Sequence, residues 1–203
     1  MSTREQKVLD VSGLPTVVFG PKALLWWGTL GFIVIEGFTL VLAVASYLYL
    51  RQNEFSWPPG RTPNPDLLIP TISLAVLLVT TYPMYRADRA AKEFDRAGVI
   101  RWLLIGTALS GVACVLRWFD LLALNVRWDT HAYGSAAWMV VVMHATLIVL
   151  DFFECLVLAA MFMTGRAQKK HYPDVSDAAG YQYYISLTWL VLYLIIYWGP
   201  RVL

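Results

Sequence analysis

Leu24–Leu50 reads LLWWGTLGFIVIEGFTLVLAVASYLYL, a run of 27 residues with one charge, Glu36. A bilayer core is about 30 Å thick, and a helix crosses it with roughly 20 apolar residues. Four more runs of that kind follow. Leu67–Tyr85 and Tyr181–Trp198 carry no charge; Trp102–Leu124 holds Arg117 and Asp120; Ala136–Met163 holds Asp151 and Glu154. Barrel strands would appear as short alternating segments of roughly 10 residues, and none is present. The expectation is an all-α membrane protein, a bundle of five transmembrane helices. The first run is too long for a signal peptide and starts 23 residues in, without a small-residue cleavage site.

Composition agrees. Of the 203 residues, 58% are hydrophobic and only 15% charged. That excludes a disordered chain, which needs low hydrophobicity and high charge, and disfavours a water-soluble domain. The net charge of +2 says little; the placement of the charges says more. Arg4, Lys7, Lys22, the group Arg86, Arg89, Lys92, Arg96 and Arg101, and then Arg166, Lys169 and Lys170 fall on one side of the five runs. Only Arg51, Arg61, Arg127 and Arg201 fall on the other. Lys and Arg accumulate in cytoplasmic loops, so the N-terminus is expected in the cytoplasm and the C-terminus outside. Trp26, Trp27 and Trp102 would mark the inner border, and Trp57, Trp128 and Trp198 the outer one, since tryptophan favours the headgroup level.

The chain divides into a cytoplasmic N-terminal segment, 1–23, and a membrane domain, 24–203. No loop is long enough for a second core. Arg86–Arg101 mixes both charge signs and is compatible with helix. Ser56–Pro65 is stiffened by prolines, which fix φ and remove donors; it either docks against a partner or returns the chain between two helices. Cys114 and Cys155 fall inside spans and read as small buried hydrophobes rather than a disulfide. No CxxC, haem-attachment, phosphate-loop or hydrolase motif occurs, and no nucleic-acid partner is expected.

What remains is the intramembrane polar set. Ionisable groups in a span are costly, and by default they mark functional or pairing positions. Glu36 lies near mid-membrane, either as a proton-handling or lipid-linked carboxyl or as a structural acid bonded to a neighbouring helix. Arg117 and Asp120 are i,i+3 neighbours and can pair along their helix. Asp151 and Glu154 stand about 20° and about 80° around the helix from His144, so all three share a face, and that face can meet Arg117. His144 and Asp151 are roughly 10.5 Å apart along the axis, too far to share a metal. His144 is the only histidine in a span, which rules out a bis-imidazole haem within one copy. The expected metal ligands are none.

These residues also carry a resemblance. Glu36-Gly37-Phe38, the exit Tyr47-Leu48-Tyr49-Leu50-Arg51 and the loop Trp57-Pro58-Pro59 resemble the heme-copper oxidase subunit III family. Tyr133-Gly134-Ser135 followed by His144 is similar to that family's outer Gly-Ser segment and the first His of its His-x-x-His. Tyr184, Trp189, Tyr193 and Tyr197-Trp198-Gly199 resemble its last helix. Five helices with the N-terminus inside match the short bacterial form. There are departures: Leu147 stands at the second His, Asp151 where Gly is usual, Ser186 for a common Asp, and Arg117 for Gln. These changes can be read as one compensated set, with Arg117 balancing Asp151.

The resemblance implies a non-catalytic subunit of a terminal oxidase in the bacterial plasma membrane, packed on subunit I in a complex with subunit II. Haem and copper would belong to subunit I. This chain would bind phospholipid in a cleft and support proton uptake and durability, with Glu36 at the family's buried carboxyl. A quinol oxidase or nitric oxide reductase accessory subunit is the neighbouring reading. An independent proton or ion transporter using Glu36, Asp151 and Glu154 is a further one.

Overall fold

A computed structural model describes residues 17–202. Most of the expected N-terminal segment, including Arg4 and Lys7, lies outside the described residues, as does Leu203. Five long helices account for nearly all the rest: α1 (Leu24–Gln52), α2 (Leu68–Lys92), α3 (Arg96–Leu122), α4 (Ala132–Met163) and α5 (Tyr172–Tyr193). The last continues through a π-helical turn, Leu194–Trp198, into Gly199–Val202. No strand occurs among the described residues. All five helices are long and apolar enough to cross a membrane. Helix is the fold such a sequence needs, because hydrocarbon offers backbone N–H and C=O groups no partner.

The helices run further than their apolar stretches. α2 continues seven residues past Tyr85 to Lys92, and α3 begins at Arg96, so the charged stretch is helical on both sides of a three-residue turn. Phe94 makes that turn in the left-handed region (φ 56°), and Asp95 caps α3 by accepting from the Ala97 N–H at 3.1 Å. α5 likewise starts nine residues before its apolar run, with Pro173 in its first turn. Arg96 reaches across to donate to the Phe162 carbonyl at 2.7 and 3.0 Å. A cation there adds a charged donor to a carbonyl at the end of α4, where the helix dipole favours it.

α2, α3, α4 and α5 form the packed body: α2 lies against α3 and α5, and α4 against α3 and α5. α1 touches α4 and α5 but is the least covered helix, with 11% of its most apolar window buried against 33–50% for the others. The core has two parts. One surrounds Tyr47, Trp57, Tyr133, Trp189 and Tyr197; the other surrounds Met84, Leu103, Phe162 and Tyr172. The proline-rich loop is a stiff return fastened to its own bundle. Trp57 is buried and donates to the Tyr47 hydroxyl at 2.9 Å, Asp66 N–H donates to the Ala123 carbonyl at 2.7 Å, and Arg201 donates to the Pro65 carbonyl at 2.6 Å.

Candidate functional site

Arg117 lies fully inside the body, 3% exposed. Its guanidinium carbon lies over the Trp189 ring, 3.6 Å from the centroid. One nitrogen is 3.0 Å from Asp120 Oδ2, and another is 3.4 Å from His144 Nδ1. The local pairing along α3 is therefore the one formed. A buried cation needs such compensation on several sides, and here it gets a carboxylate, an aromatic face and an imidazole lone pair. Asp120 is held in turn: Ser73 of α2 donates to Oδ1 at 2.8 Å, and the Tyr197 hydroxyl donates to its backbone carbonyl at 2.8 Å.

His144 is a bridge between helices. Arg117 can only donate, so Nδ1 accepts; the Ile185 carbonyl, 3.0 Å from Nε2, can only accept, so Nε2 carries the proton. The imidazole is thus neutral and spends both nitrogens on protein partners. His131 sits at one end of the bundle, where Nδ1 accepts from Gly134 N–H and Nε2 meets Thr62 Oγ1 at 2.9 Å. His171 sits near the start of α5 with Asp174 at 3.1 Å. The three imidazoles are far apart in the fold and bonded to protein groups, so the residues present do not fit a haem or copper site. No cluster of three His, Cys, Asp or Glu suited to a metal ion occurs among the described residues.

Asp151 goes elsewhere. It is fully buried and accepts from Ser110 Oγ of α3 at 3.1 Å, with the Cys155 thiol at 4.0 Å. It makes no ion pair with Arg117, so the compensated exchange expected between those two is corrected: Arg117 has its own acid one turn along. Glu154 also leaves the cluster. The rotation from His144 carries it to the edge of the body, where it is exposed and lines an open groove of about 450 Å³ with Gly28, Phe32, Leu150 and Tyr181.

Glu36 is half-buried on α1, with Tyr181 of α5 as its partner. The phenol lies 2.9 and 2.8 Å from its two carboxyl oxygens and donates into the pair. Tyr181 borders the Glu154 groove as well. Sequence reading did not single out Tyr181, Ser73 or Ser110. A Tyr at the head of an apolar run and serines in the middle of two spans were the available signals.

Five membrane-length helices, four of them packed around a buried Arg–Asp–His–Trp seam, define a multi-pass, all-helical membrane protein. No family model matches the chain. Curated relatives cover most of it at low, consistent identity. A protein of Synechocystis sp. named cytochrome c oxidase subunit 3 is 23% identical over 181 residues, 88% of this chain and 77% of the relative. Its namesake from Thermostichus vulcanus is 23% identical over 173 residues, 84% and 85% of the two chains. The one from Pongo pygmaeus is 27% identical over 180 residues, 86% and 69%. The chain is thus similar, along most of its length, to proteins named cytochrome c oxidase subunit 3.

Proposed function

We propose that this chain is an accessory, non-catalytic subunit of a heme-copper terminal oxidase. It packs on subunit I beside subunit II in a bacterial plasma membrane, with its N-terminus in the cytoplasm. The observation that carries this reading is the match to subunit 3 relatives along most of the chain. The interior supports it, because the intramembrane ionisable groups in the body are occupied with one another or with hydroxyls and build a rigid frame rather than a reaction centre.

Glu36 and phospholipid are the functional features on this reading. α1 stands partly away from the body and borders an apolar slot of about 360 Å³ lined by Gly37, Leu40, Val44, Leu187, Val191 and Ile195. An acyl chain suits such a slot, which has almost no polar lining. Next to its lining residue Gly37, the Glu36 carboxyl is fixed by Tyr181, which would support proton uptake and the durability of the oxidase.

The test is purification through a tag on this chain in mild detergent. The expected eluate contains a larger membrane subunit and the absorption of an oxidase haem pair. A chain that purifies from aerobically grown cells with no haem-bearing partner overturns the reading.

A further inference from the structure

The last turns of α2 sort their charges onto two sides. Lys92 binds Asp88 at 2.7 Å, and both line a cavity of about 480 Å³ against α1 and α5. Arg86 projects onto the flank that α2 shares with α3, and Arg89 stands about 60° around the helix from it, on the outward face of α2. Tyr82, Tyr85, Arg86 and Arg89 fall within an arc of about 100° around the helix, and all four are exposed.

Both arginines are held in place by aromatic rings. The Arg86 guanidinium lies 5.0 Å over the Trp102 ring and donates to the Tyr82 hydroxyl at 3.4 Å. Tyr82 meets Trp102 edge to face at 5.8 Å. Arg89 lies 5.9 Å over the Tyr85 ring and donates to its hydroxyl at 3.4 Å. Neither arginine is in an ion pair among the described residues, and neither is Glu93, the next acid on that side. Toward the middle of the bundle the same flank is apolar and exposed, with Leu78, Val79 and Ile105.

The order along this flank is apolar, then aromatic, then cationic. That is the order of a lipid leaflet read from hydrocarbon through interface to phosphate. A guanidinium presents a fork of donors that fits phosphate oxygens, and stacking on a ring holds that fork in one plane. We infer that the α2–α3 flank is a binding site for an anionic phospholipid. Its phosphate sits between Arg86 and Arg89, and its acyl chains lie over Leu78, Val79 and Ile105. The apolar belt directly beside the two cations favours a lipid over an acidic peptide. Arg89 and Arg86 stand about 60° and about 120° around α2 from Lys92, which lines the α1 cavity, and the site requires only that the helices span.

The experiment is competition between phosphatidylglycerol and phosphatidylcholine of matched acyl chains for the purified full chain, with any subunits that accompany it, read by native mass spectrometry. Wild type should retain the anionic lipid in excess, and each arginine should contribute about fivefold to that preference. R86Q/R89Q should bring the two lipids near parity, while R127Q at the other end of the bundle should leave the preference unchanged. Parity in wild type, or an unchanged preference in R86Q/R89Q, overturns the inference. Displacement of the lipid by inorganic phosphate alone, or loss of partner subunits with the lipid preference intact, overturns it as well. A second measurement needs no variant: photoactivatable phosphatidylglycerol should cross-link to peptides of α2 and α3, and cross-links confined to α1 and α5 would refute the site.

Discussion

Arg117 occupies a position where a guanidinium survives only because three different groups meet it. The i,i+3 spacing to Asp120 was readable in the sequence, since it depends on helix geometry alone. The contacts to Trp189 and His144 were not, because they depend on which faces of α3, α4 and α5 meet. Arg117→Met should cost about 3–5 kcal/mol, because it strands Asp120 in the interior with only Ser73 to bond it. Combining it with Asp120→Asn should restore much of the thermal stability in detergent, whereas combining it with Asp151→Gly should restore none. Equal rescue by both partners would contradict the pairing along α3. Glu36 makes a second case. Its position in mid-span was legible, and its partner on α5 was not. Tyr181→Phe removes the phenol that donates to it and should destabilise the α1–α5 contact by about 1–3 kcal/mol. Glu36→Gln should leave assembly intact while shortening the time over which the oxidase keeps its turnover rate. Wild-type assembly together with wild-type turnover over many cycles would leave the acid a structural one.

The helices as elements were legible in their apolar middles and less so at their ends. Hydropathy marks the part of a helix that sits in hydrocarbon, but the backbone hydrogen bonds continue wherever charged residues are solvated. That is why α2 and α5 overrun their apolar stretches by seven and nine residues. The Tyr133-Gly134-Ser135 segment shows what a motif can mean at this scale. Gly134 N–H donates to the His131 ring, Ser135 Oγ donates to the Trp128 carbonyl at 2.6 Å, and Tyr133 is buried against Trp57. A Cβ on Gly134 would collide with the Arg127 backbone carbonyl and press on Val126. Backbone cannot step aside as a flexible side chain can, so Gly134→Ala should cost about 1–3 kcal/mol, as an overpacked core position does. Gly28 provides the contrast. It lies on α1 with open space where its Cβ would stand, so Gly28→Ala should be neutral or stabilise by up to about 1 kcal/mol through helix propensity. Melting temperatures of the two variants in the same detergent test the difference, and equal shifts would mean that the α4 entry is not tightly packed.

For the whole molecule, an odd number of spans puts the two ends of the membrane domain on opposite sides, and charge sets the expected direction. Among the described residues, nine lysines and arginines lie on the side of the α2–α3 turn and four on the other. The fold adds a reason for the basic side to stay where it is. Arg96 is anchored to the end of α4, and Arg86 and Arg89 lie against aromatic rings, so these cations are fixed to helices rather than carried on loose loops. Carrying that end across a bilayer would mean dehydrating several guanidiniums at once, each costing about 2.5–3.5 kcal/mol at the membrane centre. Single cysteines, introduced after Cys114 and Cys155 are replaced by alanine, report the direction. A cysteine at Arg61 should react with an impermeant maleimide in intact cells. One at Glu93, in the α2–α3 turn, should react only after permeabilisation. The reverse pattern would turn the molecule over. It would place the Arg86–Arg89 flank in the outer leaflet and the Glu154 groove on the outer side, and so separate Glu36 from the cytoplasmic protons that its proposed role requires.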